Sequence, residues 1–121
     1  MIEHMLDEQK SVLQVRPSGP LQEEDFGILA RKIDPFIERS GGLRGLLIET
    51  ADFPGWSDTA AALRHIRFVR NHHRKIDKVA IVTDSPMGKV ADRLADHFVA
   101  AEIRQFPYGE RDAALQWLEQ T

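Results

Sequence analysis

The sequence predicts an α/β domain: a mostly parallel five-stranded sheet in the order β-β-α-β-α-β-α-β-α, with an antiparallel first strand and four main helices. Three observations carry this. Two alternating runs, Ile2–Leu6 and Val12–Arg16, lie close together at the start, as in a hairpin. Two unbroken apolar runs, Leu46-Leu47-Ile48 and Val79-Ala80-Ile81-Val82, have the length of strands buried on both faces. Between and after them lie longer stretches with helical spacing, which implies right-handed βαβ crossovers.

Composition sets the outer bounds. The chain has 121 residues, enough for one domain, and contains no repeat or linker that would divide it, so residues 1–121 are read as a single unit. A net charge of -3 gives no global electrostatic case for nucleic acid. Cysteine is absent, which excludes disulfides, zinc knuckles and a thiol nucleophile. No apolar run approaches the ~20 residues of a membrane span, and Met1-Ile2-Glu3-His4-Met5 does not open a signal peptide. The expectation is a cytoplasmic protein of bacterial type.

In chain order, Asp7–Lys10 forms the hairpin turn and Pro17 stops the second strand. Leu21–Arg39 reads as a helix whose stripe is Phe26, Leu29, Ala30, Ile33, Phe36 and Ile37. Glu23, Glu24 and Asp25 suit its N-terminal dipole. Pro35 is expected to kink this helix or to begin a second, shorter one, and Gly41-Gly42 to end it. Leu43–Thr50 is the third strand. Ser57 or Asp58 caps a helix over Ala60–His73, with Leu63, Ile66 and Val69 inward and Phe68 at the border. Lys78–Asp84 is the fourth strand. Asp84 or Ser85, with Pro86, opens a helix whose stripe is Val90, Leu94, Ala95, Phe98 and Val99. Ala101–Phe106 is an edge strand, and Glu110–Gln120 a closing helix with Ala113, Ala114, Trp117 and Leu118 inward.

In such a sheet, ligands bind at the carboxyl ends of the strands. The exits of the third and fourth strands should therefore share one surface. After the third strand comes Asp52-Phe53-Pro54-Gly55-Trp56-Ser57-Asp58, with a Pro-Gly turn and two large aromatic side chains where chain meets solvent. Asp52, Phe53, Trp56 and Ser57 are its candidate binding residues. After the fourth strand comes Asp84-Ser85-Pro86-Met87-Gly88-Lys89, which contributes Asp84, Ser85 and Met87 but lacks the glycine spacing of a phosphate loop. The bland alternative is that Phe53 and Trp56 fold back and seal the sheet end, since aromatic rings mostly bury.

A second surface is the basic helix over residues 60–78. Arg64, Arg67, Arg70 and Arg74 recur at spacings of three and four, with His65, His72, His73, Lys75 and Lys78 nearby. Such a stripe suits anionic lipid head groups, a phosphate or an acidic protein, or is simply a solvated face. The histidines form no metal set: His65 and His73 lie two turns apart, and His72 and His73 diverge. No cofactor motif and no nucleophile-base-acid set is legible, so the expectation is a protein that is not an enzyme. An enzyme using Asp52, Asp84 or His65 is the competing class.

The element order and the loop Asp52-Phe53-Pro54-Gly55-Trp56 after Leu46-Leu47-Ile48-Glu49 resemble the SpoIIAA-like family of STAS-fold proteins. Val15–Gly19, Lys78–Val82, Ala101–Phe106 and Ala113–Leu118 resemble that family's early strand and turn, fourth strand, last strand and closing helix. The resemblance implies a superhelix of βα turns, compared with STAS and with lipid-binding CRAL-TRIO domains. It implies a binding or regulatory module without established enzyme activity. Anti-sigma-factor antagonists of the STAS group carry an Asp-Ser-Ser/Thr-Gly type loop whose serine a partner kinase phosphorylates. This chain departs from that pattern: the nearby hydroxyls are Ser57 and Thr59, and Asp58 would set like charge beside a phosphate on Ser57. The leading expectation is a module that binds a protein partner or a small apolar or anionic ligand at the two strand exits. Peripheral association with anionic lipid is the alternative, and a phosphoswitch at Ser57 or Thr59 a minor one. An edge strand, Ala101–Phe106 or Ile2–Leu6, offers a route to a homodimer.

Overall fold

A computed structural model of the chain describes residues 2–52, 54–84 and 100–120. Its elements are β1 (Ile2–Asp7), β2 (Val12–Pro17), α1 (Glu23–Ser40), β3 (Leu43–Glu49), α2 (Thr59–His72), a 3-10 turn (His73–Lys75), β4 (Ile76–Val82), β5 (Glu102–Phe106) and α3 (Arg111–Glu119). The expected helix after Ser85, with its stripe Val90, Leu94, Ala95, Phe98 and Val99, lies outside the described residues. The five strands form one sheet in the order β1-β2-β3-β4-β5. β1 is antiparallel to β2, and the other three pairings are parallel.

The hairpin turn is fixed by Asp7, whose Oδ1 accepts from the backbone N–H groups of Gln9 and Lys10 at 3.1 and 3.0 Å. α1 and α2 connect successive parallel strands. α1 is one continuous helix, so Pro35 begins no second one. It ends at Gly41, whose φ of 89° is left-handed and whose N–H donates to the Ile37 carbonyl at 2.7 Å.

Period-2 alternation sorts the strands between two cores. Leu13, Val15, Leu46, Val79 and Ile81 meet Leu29, Ile33, Phe36 and Ile37 of α1 and Val69 of α2. On the other face Val12, Leu47, Ala80, Val82 and Phe106 meet Ala114, Trp117 and Leu118 of α3. Gly45 lets α3 approach closely: a Cβ there would lie 2.9 Å from Leu118 Cδ2.

α2 departs from expectation. Leu63 and Ile66, expected inward, are 58% and 43% exposed. The inward residues are Ala61, Val69 and His72, with His65 and Phe68 half-buried beside them. Two of these are histidines, buried through ring contacts, so the inward stripe looks polar in the sequence. The basic helix is also shorter than residues 60–78. It ends at His72 because Ile76 pairs with Leu43 and is buried, which places Lys78 on β4.

Candidate functional site at the carboxyl ends of the parallel strands

β3 and β4 leave the sheet side by side, as expected. The Thr50 N–H donates to the Val82 carbonyl at 3.0 Å, and Thr83 Oγ1 donates to the Ala51 carbonyl at 3.1 Å. From there the chain turns toward α1. The Leu21 N–H donates to the Gly55 carbonyl and the Ser57 N–H to the Leu21 carbonyl, both at 2.8 Å, making a parallel bridge between Leu21 and Trp56. Gly55 has φ +80°, a left-handed turn that a glycine adopts without strain. Asp58 is the helix cap: its Oδ1 accepts from the Ala61 N–H at 2.8 Å. Ser57 and Thr59 are exposed beside it.

Trp56 stands at the rim, 37% exposed. Its Nε1–H donates to His65 Nδ1 at 3.1 Å. Behind it a ladder of rings runs between α2 and α1. His65 stacks on Phe26 with ring centres 4.8 Å apart, Phe26 meets Phe68 at 5.9 Å, and Phe68 stacks on His72 at 4.2 Å. His72 closes the ladder with Nδ1 2.7 Å from the Phe68 carbonyl and Nε2 2.7 Å from Asp34 Oδ1. Both partners are oxygen atoms, one from the backbone of α2 and one from α1, so the ring ties the two helices together.

Of the other expected residues, Asp52 is exposed on the β3 exit loop. Asp84 is exposed, and its Oδ1 accepts from the Tyr108 N–H at 3.0 Å, tying the β4 exit to the loop after β5. Phe53, Ser85 and Met87 lie outside the described residues. The arginines of the basic stripe divide. Arg64 and Arg67 line an open cleft of about 320 Å³ with Glu23, Glu24 and Arg31 of α1, while Arg70 and Arg74 are exposed. Lys78 belongs to neither group: its Nζ donates to the carbonyls of Trp117 and Gln120 at 3.2 and 2.8 Å, closing the C-terminus of α3. Among the described residues, no helix is long and apolar enough to cross a membrane.

Sequence reasoning missed the strongest charged arrangement. Glu49, the last residue of β3, lies on the α3 face with Leu47 and is only 7% exposed. Arg111 holds it from the first turn of α3, Nε donating to Oε2 at 3.0 Å and Nη2 to Oε1. The parallel register, Val15 opposite Ile48, brings Arg16 alongside, with Nε 3.0 Å from Oε1. The hydrogen bond to Glu49 is the main cause that raises the Arg111 guanidinium above its ordinary value. An open cleft of about 320 Å³ lies over the three, lined also by Tyr108, Gly109 and Asp112. The signal available was a carboxylate ending an apolar strand run at an inward position of the alternation.

The rim thus carries an aromatic half on the α1–α2 side and a charged half on the α3 side. The SpoIIAA-like family model matches residues 12–119 of the chain. A crystal structure of an uncharacterized protein from the DUF3478 family of Shewanella loihica PV-4, described as having a SpoIIAA-like fold, superimposes with a TM-score of 0.69. The two are 23% identical over 97% of this chain and 93% of that one, a likeness that shows the fold. No curated protein matches the chain.

Proposed function

The chain belongs to the SpoIIAA-like family, and from that premise we propose a non-catalytic binding module that recognises a protein partner, or a small apolar or anionic ligand, at the loops leaving β3 and β4. The observation that carries this reading is Trp56. Its backbone is bridged to Leu21 and its indole N–H is held by His65, yet the residue keeps 37% of its surface in solvent. A large aromatic fixed before binding loses little side-chain freedom on contact, which is the property of an interface anchor. Asp52 and Asp84 supply charged neighbours on the same rim. The carboxylates nearby favour binding over acid–base work: Asp58 caps a helix, Asp84 holds a loop and Glu49 is ion-paired.

The test is affinity capture from the native host with the wild-type chain and with Trp56→Ala and Asp52→Ala, together with native mass spectrometry for co-purified small molecules. The expected result is a specific partner or ligand retained by the wild type and lost from both folded variants. Equal retention by all three removes this site assignment.

A second reading is favoured by a different observation. Leu63 and Ile66 stand exposed on the same side of α2 as exposed Arg67 and Arg70, the pairing of apolar and basic residues that suits an anionic membrane interface. Liposome flotation tests it. Binding should require anionic lipid and weaken as salt rises from about 0.05 to 0.5 M; flotation with neutral lipid alone contradicts it.

A further inference from the structure

We propose that the cleft over Arg16, Glu49 and Arg111 is an oxyanion site, taking the phosphate or carboxylate group of a small ligand. It lies on the charged half of the rim and uses none of the side chains on the Trp56 half. Glu49 is one buried carboxylate, and Arg111 alone engages both of its oxygens. Arg16 is not needed to neutralise it, yet its Nε is also brought to Oε1. Two guanidinium groups therefore converge on one buried carboxylate, with the exposed Asp112 as the second acid on the cleft wall.

Geometry adds donors. Arg111 gives Nε and Nη2 to Glu49, and Arg16 gives Nε, so Arg111 Nη1 and both terminal nitrogens of Arg16 are outside these contacts. Arg16 and Arg111 are 51% and 37% exposed at their side chains, so each reaches from the buried carboxylate toward solvent. A guanidinium anchored on one edge and open on the other is preorganised for a second, planar or tetrahedral, oxyanion. α3 begins in the same cleft at Arg111, and its N-cap, Glu110, makes no side-chain capping bond. The positive end of the helix dipole thus lies beside the two arginines. Tyr108, half-exposed at the lip, offers a ring to the body of the ligand. Asp112 is the opposing feature: it lines the cleft, is exposed, and weakens the attraction for any anion.

The experiment is a nuclear magnetic resonance titration of the full chain with inorganic phosphate and, separately, with acetate, at constant ionic strength set with chloride. Backbone amides and arginine Nε–H signals are read together. The expected result is saturable shifts of the Arg16 and Arg111 Nε–H signals and of the amides of residues 109–113 with at least one anion. The anion that saturates at lower concentration identifies the preferred group. Arg16→Gln, which leaves the Arg111–Glu49 pair in place, should weaken binding about ten-fold, the scale of one charged hydrogen bond. Asp112→Asn should tighten it several-fold, an effect that a purely structural ion-pair cluster would not produce. Arg16→Lys, which keeps the charge and loses the planar fork, replaces Gln if that variant fails to fold, and should weaken binding by a smaller factor. Shifts that do not saturate with either anion, or that are unchanged in the Arg16 variant, overturn the proposal.

Discussion

The sheet face under α1 and α2 and the face under α3 differ in how they reach the functional rim. The first carries a core fed by an eighteen-residue helix, and continues outward through stacked rings, His72, Phe68, Phe26 and His65, to Trp56. Among the described residues, the second is covered by a nine-residue helix and ends in charge, with Glu49 between Arg16 and Arg111. Apolar stacking tolerates small shifts, because dispersion is non-directional and spread over many atoms. A buried carboxylate does not, because its charged hydrogen bonds are directional and weaken steeply when a donor moves. The charged half of the rim should therefore be the more sensitive to single changes in its supporting face.

Leu118 tests that sensitivity most strongly. It is fully buried, and it fills the space left by Gly45. Leu118→Ala should cost about 4 kcal/mol in chemical denaturation, near the upper part of the range for such truncations, because so short a helix has few other anchors. Gly45→Ala approaches the same contact from the opposite side. The added Cβ would sit 2.9 Å from Leu118 Cδ2 and 3.1 Å from its Cβ, so α3 must move outward. The expected loss is about 2 kcal/mol, accompanied by broadening of the Arg111 Nε–H signal as the pair with Glu49 loosens. Glu49→Gln keeps the shape and removes the charge. It should cost about 2 kcal/mol, less than for a fully buried pair, since both arginines reach solvent; a double-mutant cycle with Arg111→Gln measures the coupling.

On the aromatic side the effects are smaller. Asp58→Ala removes the α2 cap and should cost about 1 kcal/mol in the same denaturation experiment. Trp56→Ala should change stability by less than about 1 kcal/mol, because much of the ring is already in water, and should act on binding instead. If Trp56→Ala proved as damaging to the fold as Leu118→Ala, the two halves would not differ as described.

Much of the fold was legible in the sequence because its signals are local. Alternation in Ile2–Leu6, the apolar run before Glu49 and the glycine pair after Arg39 each act within a few residues. The strand exits followed from topology, since neighbouring parallel strands end on one side. What was not legible is what depends on distant pairing. Glu49 and Arg111 are 62 positions apart, and no spacing rule connects them. α2 misled for a different reason. His65 and His72 occupy inward positions by stacking on Phe26 and Phe68, so the buried stripe carried polar letters while Leu63 and Ile66 drew the apolar reading to the wrong side. Pro35 begins no second helix, since α1 runs through it without interruption.

The central claim is that recognition takes place where the parallel strands end. Hydrogen–deuterium exchange on the chain, alone and with the partner or ligand captured from its host, tests this directly. The expected result is added protection in residues 50–58 and 83–84. Protection confined to the opposite end of the sheet, around Gly42 and Lys75, or to the outer side of α2 at Leu63 and Ile66, would contradict it.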